Sequence, residues 1–156
     1  MYIMNWYTDG SCLNNPGPGG YCAMLVDNNV ILEGGLAYTT NNIMELQAVI
    51  VCLEYIHENF FNTTHTIHVD SMYVKNGITS WIYKWKSNGW KTTANKPVKN
   101  KEYWEQLDNI CNIKNINDNM NEIKWVWVKA HSINPYNQMV DKIAREQAIK
   151  YTLKTV

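Results

Sequence analysis

Thr66-Ile67-His68-Val69-Asp70, followed at once by Ser71-Met72-Tyr73-Val74-Lys75-Asn76-Gly77-Ile78, decides the fold class. The first five residues are a short β-branched run of the kind that fills a buried strand, and the next eight read as a helix. Upstream, residues 43–57 place Ile43, Leu46, Ile50 and Leu53 on one stripe, with Val49, Cys52 and Ile56 beside it. That spacing predicts a helix with an apolar face, capped by Asn41 or Asn42. Helix, strand, helix, with strands before and after, is an α/β order.

Toward the N-terminus, residues 2–9 alternate aromatic and apolar side chains and end at Asp9-Gly10. Residues 21–27 and 30–38 read as two further strands around the turn Asp27-Asn28-Asn29, which makes an antiparallel meander. Toward the C-terminus the pattern predicts a helix over Glu102–Ile113, an Asn-rich loop near 114–121, a strand over Ile123–Val128 and a last helix from Tyr136 to Tyr151. Neither a repeat nor a linker interrupts the chain. At 156 residues and 46% hydrophobic it suits a single domain over 1–156 with one core.

Lys plus Arg and Asp plus Glu number 14 each, so net charge neither attracts nor excludes a polyanion, and only the distribution of charge can be informative. The N-terminus lacks a basic segment followed by an apolar run, and no stretch approaches the roughly 20 apolar residues that a membrane span needs. The expectation is a soluble cytoplasmic monomer without a membrane partner. Cys12, Cys22, Cys52 and Cys111 are scattered with no C-x-x-C pair, which argues for reduced packing residues rather than a zinc site or a disulfide framework.

Four acids stand out by position: Asp9, Glu45, Asp70 and Asp141. Each also has a structural reading. Asp9 before Gly10 could form a turn; Glu45, three residues after Asn42, could complete a capping box. Asp70 could cap the helix that starts at Ser71, and Asp141 could face the dipole of the last helix. Yet all four lie at element ends or on faces that would otherwise be buried, Glu45 heading the stripe Val49, Cys52, Ile56 and Asp141 heading Ala144, Ala148, Tyr151. A buried carboxylate cluster is costly unless a cation neutralises it, and magnesium accepts a few carboxylates together with water and phosphate oxygens. The chemistry predicted is two-metal phosphoryl transfer.

Several segments, in order, resemble the bacterial-type (type 1) ribonuclease H family. They are Tyr7-Thr8-Asp9-Gly10-Ser11-Cys12 with Asn15-Pro16-Gly17-Pro18-Gly19-Gly20; Thr39-Thr40-Asn41-Asn42 with Met44-Glu45-Leu46; Val69-Asp70-Ser71 with Tyr73-Val74; Trp127-Val128-Lys129-Ala130-His131; and Asn137 through Asp141. The resemblance implies an RNase H-like fold, a five-stranded mixed sheet of three antiparallel and two parallel strands with helices on both faces. It implies endonucleolytic hydrolysis of the RNA strand of an RNA/DNA hybrid, leaving 5′-phosphates. Asp9, Glu45, Asp70 and Asp141 would hold two Mg2+ ions, with Mn2+ a possible substitute. His131 resembles the histidine that assists proton transfer or product release, a role suited to an intrinsic pKa of about 6.5.

Between Trp81 and Lys101 stand six lysines, three tryptophans and no acid. A solvated helix with its tryptophans in the core is the plain reading. The functional one is a platform for a phosphate backbone, similar to the family's basic handle, with Trp81, Lys84, Trp85, Lys86 and Lys91 touching substrate. Cys12, Asn15, Asn41 and Asn42 match family positions that sense the 2′-hydroxyl in the minor groove, and Thr40 matches a DNA-phosphate contact. Met72, Ala130 and Ile133 depart from the family pattern, and the segment Asn112 to Asn121 is longer than usual. A catalytically silent hybrid-binding domain and a DNA-directed nuclease of the same superfamily are the alternatives.

Overall fold

The computed structural model describes residues 3–112, 120–129 and 133–153. Its elements are β1 (Ile3–Cys12), β2 (Gly17–Leu25), β3 (Val30–Thr39), α1 (Asn41–Asn59), β4 (Thr64–Val69), α2 (Met72–Asn76), a π-helical turn (Gly77–Trp81), α3 (Ile82–Ser87), α4 (Lys101–Asn112), β5 (Glu122–Trp127) and α5 (Pro135–Leu153). One sheet runs β3-β2-β1-β4-β5. β1, β2 and β3 pair antiparallel, while β1–β4 and β4–β5 pair parallel. This is the mixed sheet that the sequence pattern and the family resemblance lead one to expect.

Successive strand residues point to opposite faces, and β1 shows what that does here. Trp6 turns into the larger core with Leu46, Ile50, Leu53 and Ile56 of α1, Ile67 of β4 and Trp104 and Leu107 of α4. Tyr7 turns the other way, into a smaller core with Cys22, Met24, Val140 and Ala144, so α5 covers the opposite face. Helices therefore lie on both faces. Cys22 and Cys52 are buried free thiols, and all four cysteines are unbridged.

Four local expectations are corrected. β1 continues through Cys12, with Asp9 paired to Cys22 and Gly10 to Tyr21, so Asp9-Gly10 is strand and not a turn. The cap of α1 is Thr40, whose Oγ1 accepts from the Ile43 N–H at 3.2 Å, rather than Asn41 or Asn42. Ser71, not Asp70, caps α2, its Oγ accepting from the Val74 N–H at 3.2 Å. The helix expected over 71–78 instead runs through the π turn into α3. At that turn a methyl on Gly77 would overlap the Trp104 ring, so only glycine lets the chain lie on α4.

A buried polar chain fastens the far end of the sheet. The Trp6 Nε1–H donates to His65 Nδ1 at 3.0 Å, which leaves Nε2 to carry the ring proton toward Thr63 Oγ1 at 2.7 Å. Thr63 Oγ1 donates in turn to Asn121 Oδ1 at 3.0 Å, and Asn121 Nδ2 to the Phe60 carbonyl at 2.9 Å. Burial pushes the His65 pKa down to about 4, so this imidazole is neutral.

Candidate active site

Parallel pairing of Thr8 with Val69 is the last rung between β1 and β4, so Asp9 and Asp70 follow it side by side where β4 ends and β1 runs on paired to β2 alone. Crevices at such strand ends are where α/β sheets bind ligands. α1 brings Glu45 to the same place because Gly10 has no side chain. A methyl there would overlap the Glu45 nitrogen and the Met44 carbonyl carbon. The close helix-to-strand approach thus depends on the residue that, in sequence, looks like a turn former.

The three acids each place a carboxylate oxygen within 4.8 Å of the others. Asp9 and Glu45 are both 5% exposed. Asp9 Oδ1 accepts from the Gly10 N–H at 2.9 Å. Asp9 and Glu45 share a hydrogen bond, while Glu45 Oε2 is buried with no partner among the described residues. Burial, opposed by the hydrogen bond from Glu45 and reinforced by the charge of Asp70, lifts the Asp9 pKa to about 7. Burial and the charge of Asp9 lift Glu45 well above the usual carboxylate range. A proton shared by this pair at neutral pH is the cost of crowding acids without a cation.

Asp141 stands apart from this trio. The inward residues of α5 are Asn137, Val140, Ala144, Gln147 and Ala148, so Asp141 lies at the margin of the buried stripe rather than at its head. Its side chain is 48% exposed and its Oδ2 is 3.1 Å from Arg145 Nη2. The charge of Asp141 nevertheless contributes to raising Asp9, which places the two within electrostatic reach. The i,i+4 spacing of Asp141 and Arg145 is visible in the sequence, and it is the signal that points to an exposed position for this acid. His131 and Ala130 lie outside the described residues, as do residues 113–119 of the Asn-rich segment.

The hairpin and the start of α1 converge beside the acids. Asn15 Oδ1 accepts from the Asn41 N–H at 3.0 Å, tying the β1–β2 turn to the helix. The Cys12 thiol lies between the carbonyls of Thr39 at 3.4 Å and Gly17 at 3.5 Å, and burial raises its pKa. Asn42 is exposed. Further along, Trp81, Trp85 and Trp90 form a chain of rings, Trp81–Trp85 at 5.9 Å and Trp85–Trp90 at 6.0 Å, and Trp85 also meets Trp104 at 5.4 Å. Trp85 and Trp90 pack against the larger core. Lys84 and Lys91 are exposed, whereas Lys86 Nζ lies 3.4 Å from Asp108 Oδ1 of α4.

Solved structures with this fold include LC9-RNase H1, described as a type 1 RNase H with the type 2 active-site motif (TM-score 0.76, 24% identity, 96% of this chain and 74% of that one). LC11-RNase H1 in complex with an RNA/DNA hybrid superposes with a TM-score of 0.65 at 20% identity, covering 94% and 97%. At these identities the likeness defines the class of fold, the RNase H-like mixed sheet, and the acid cluster lies at its strand ends. The family model for RNase H matches residues 2–149. Ribonuclease H of Ehrlichia ruminantium is 48% identical over 146 residues, 92% of this chain and 93% of the relative, and that of Cronobacter sakazakii is 47% identical over 150 residues, 95% and 89%. The chain belongs to the ribonuclease H family: it is an endoribonuclease that cuts the RNA strand of RNA/DNA hybrids.

Proposed function

We propose that Asp9, Glu45, Asp70 and Asp141 hold two Mg2+ ions at which the RNA strand is hydrolysed to 5′-phosphate products, with Mn2+ able to replace Mg2+. The observation that carries this reading is the buried, unpartnered Glu45 Oε2 within a trio of carboxylates spanning 4.8 Å or less. Oxygen-only donors of high negative charge suit a hard divalent cation. Cations held there by Asp9, Glu45, Asp70 and Asp141 would neutralise the acids, and the chemistry they would supply is a lowered pKa for an attacking water and stabilisation of the leaving oxygen. The residues divide the remaining work. Asp9 and Glu45 are brought together by the close approach at Gly10, Asp70 closes the cluster from the end of β4, and Asp141 approaches from α5. His131 assists proton transfer or product departure.

On the substrate side, Cys12, Asn15, Asn41 and Asn42 line the minor groove near the RNA 2′-hydroxyls, and Thr40 meets a DNA phosphate. Trp81, Lys84, Trp85, Lys86 and Lys91 form the handle that grips the DNA strand. Lys84 and Lys91, exposed beyond the packed tryptophans, carry most of that grip. The working unit in this reading is one domain, a monomer acting in the cytoplasm. No described helix is long and apolar enough to cross a membrane.

Asp70→Asn tests the assignment. The variant keeps the shape of the side chain, so melting temperature and hybrid binding should stay near those of the parent, while cleavage of a labelled hybrid in Mg2+ falls by about a thousandfold or more. A matching DNA duplex and an EDTA lane complete the assay. Retained cleavage by the variant, or equal cutting of the DNA duplex by the parent, overturns the reading.

A further inference from the structure

Tyr7, His68 and Asn134 form a cluster next to the acids that the chemistry above leaves unused. Tyr7 is two residues before Asp9 on β1 and therefore on the same face of the sheet, the face that α5 covers. Its ring stacks on His68 with centroids 4.2 Å apart and planes 9° from parallel, and lies 5.4 Å from Tyr136. His68 is itself fixed, because its Nδ1 is 2.8 Å from the Trp6 carbonyl oxygen, an acceptor that requires the ring proton on that nitrogen.

Asn134 joins this cluster to α5. Its Oδ1 accepts from the backbone N–H groups of Tyr136 at 2.9 Å and Asn137 at 3.2 Å, which caps the helix. Its Nδ2 donates to the Tyr7 hydroxyl at 3.3 Å. Capping needs the oxygen alone, and serine or aspartate would supply one. The amide nitrogen does something capping does not: it ties the first turn of α5 to β1.

Asp141 rides on α5, one residue beyond Val140, which packs with Tyr7 in the smaller core. Farther along, Gly20 allows the α5 backbone around Ala144 and Ala148 to rest on β2, where any methyl would overlap it. The Gly20 contact sets how closely the middle of the helix lies. The Tyr7–Asn134 contact sets where its start lies. Because Asp141 is half-exposed and outside the tight trio, its distance from Asp9 depends on that second anchor.

We propose that Tyr7 and Asn134, with His68 as the backing of the Tyr7 ring, are positioning residues for Asp141, fixing the start of α5 on β1 and so the separation between Asp141 and the Asp9–Glu45–Asp70 trio. The inference rests on reading Asp141 as a cation ligand. Tyr7→Phe removes the hydroxyl, and Asn134→Ser keeps a capping oxygen but does not reach Tyr7. For each, and for the double variant, Mg2+ binding is measured by calorimetry on the free protein, beside kcat and KM for the hybrid and the melting temperature in EDTA.

The expected result is Mg2+ affinity and the Mg2+ dependence of kcat weakened about five- to tenfold in each single variant. KM for the hybrid stays unchanged, and the double variant is no worse than the weaker single. Asn134→Asp, whose carboxylate can accept from the Tyr7 hydroxyl, restores the parent values. Unchanged Mg2+ affinity in both singles, or effects that add in the double variant and track melting temperature, overturns the proposal. Asp141→Asn separates the two layers. If it binds Mg2+ and cleaves like the parent, the ligand reading of Asp141 fails; if it is impaired while Tyr7→Phe and Asn134→Ser match the parent, only the anchor fails.

Discussion

Gly10 shows how a residue acts through what it lacks. Its missing Cβ is the space in which α1 meets β1, and the atoms that a methyl would strike are backbone, the Glu45 nitrogen and Met44 carbonyl carbon. Backbone at the first turns of a packed helix cannot swing aside as a side chain would. Gly10→Ala should therefore push the start of α1 away, costing about 1–3 kcal/mol of stability and carrying Glu45 out of the cluster. Urea denaturation beside hybrid cleavage checks this; an alanine variant as stable and active as the parent contradicts it. The same residue explains why Asp9 is ambiguous as sequence. Asp-Gly has the composition of a turn, and only the pairing of β1 with β2 through Cys12 shows that the pair is strand. Asp70 is ambiguous for a similar reason, since either it or Ser71 could cap α2, and the hydrogen bond from the Val74 N–H settles the cap on Ser71. Local propensity names the right residues at both places but leaves their roles open.

At the level of elements, the handle is legible as composition and less so as geometry. Six lysines with no intervening acid predict a basic surface, and Lys84 and Lys91 are exposed as that requires. Two things are invisible along the chain. Asp108 of α4 comes within 3.4 Å of Lys86, and the ring chain from Trp81 to Trp104 ties the segment to the core through Trp85. Both arise from α3 packing on α4 around Gly77. The lysines are thus unequal, and the expected contribution of each to a polyanion follows its surroundings. Changing Lys84 and Lys91 together to glutamine should lower the slope of log binding constant against log salt by about 1–2, one for each phosphate that no longer meets a cation. Lys86→Gln should change it less, because part of its charge is already met by Asp108. Fluorescence anisotropy of a labelled hybrid, with catalysis blocked by EDTA, measures the slopes; an effect of Lys86→Gln as large per lysine as that of the pair would contradict the ranking, and an unchanged slope in both variants would mean that the handle's charge is a solvated face.

Across the whole molecule, two buried ionisable sites at opposite ends of the sheet pull stability in opposite directions with pH. Asp9 has a folded pKa of about 7 against 3.8 for the unfolded residue, so the folded state holds a proton that the unfolded chain releases. Without metal, stability from this site is fully present below pH 3.8 and is lost as pH rises to about 7, and Glu45, also raised, adds to that loss. His65 behaves inversely. Its folded pKa of about 4 lies below the ordinary 6.5, so its contribution is intact above pH 6.5 and is lost as pH falls toward 4. The two windows overlap between about pH 4 and 6.5, where the gain from His65 offsets the loss from Asp9 and the loss from Glu45 tips the balance, so in EDTA the melting temperature should fall as pH rises toward 7. Mg2+ binds the ionised acids and competes with their protons, so it should stabilise increasingly as pH rises and remove the decline toward neutrality. The His65 contribution, which belongs to the Trp6–His65–Thr63–Asn121 chain far from the acids, should itself be untouched by Mg2+. Combining Asp9→Asn with Glu45→Gln should raise the metal-free melting temperature at pH 7 by several degrees, about 1–3 kcal/mol, and make it insensitive to Mg2+. Melting curves from about pH 4 to 8, with EDTA or Mg2+, decide the matter: parallel curves for the parent in the two conditions would show that the buried acids and the cation do not occupy one site.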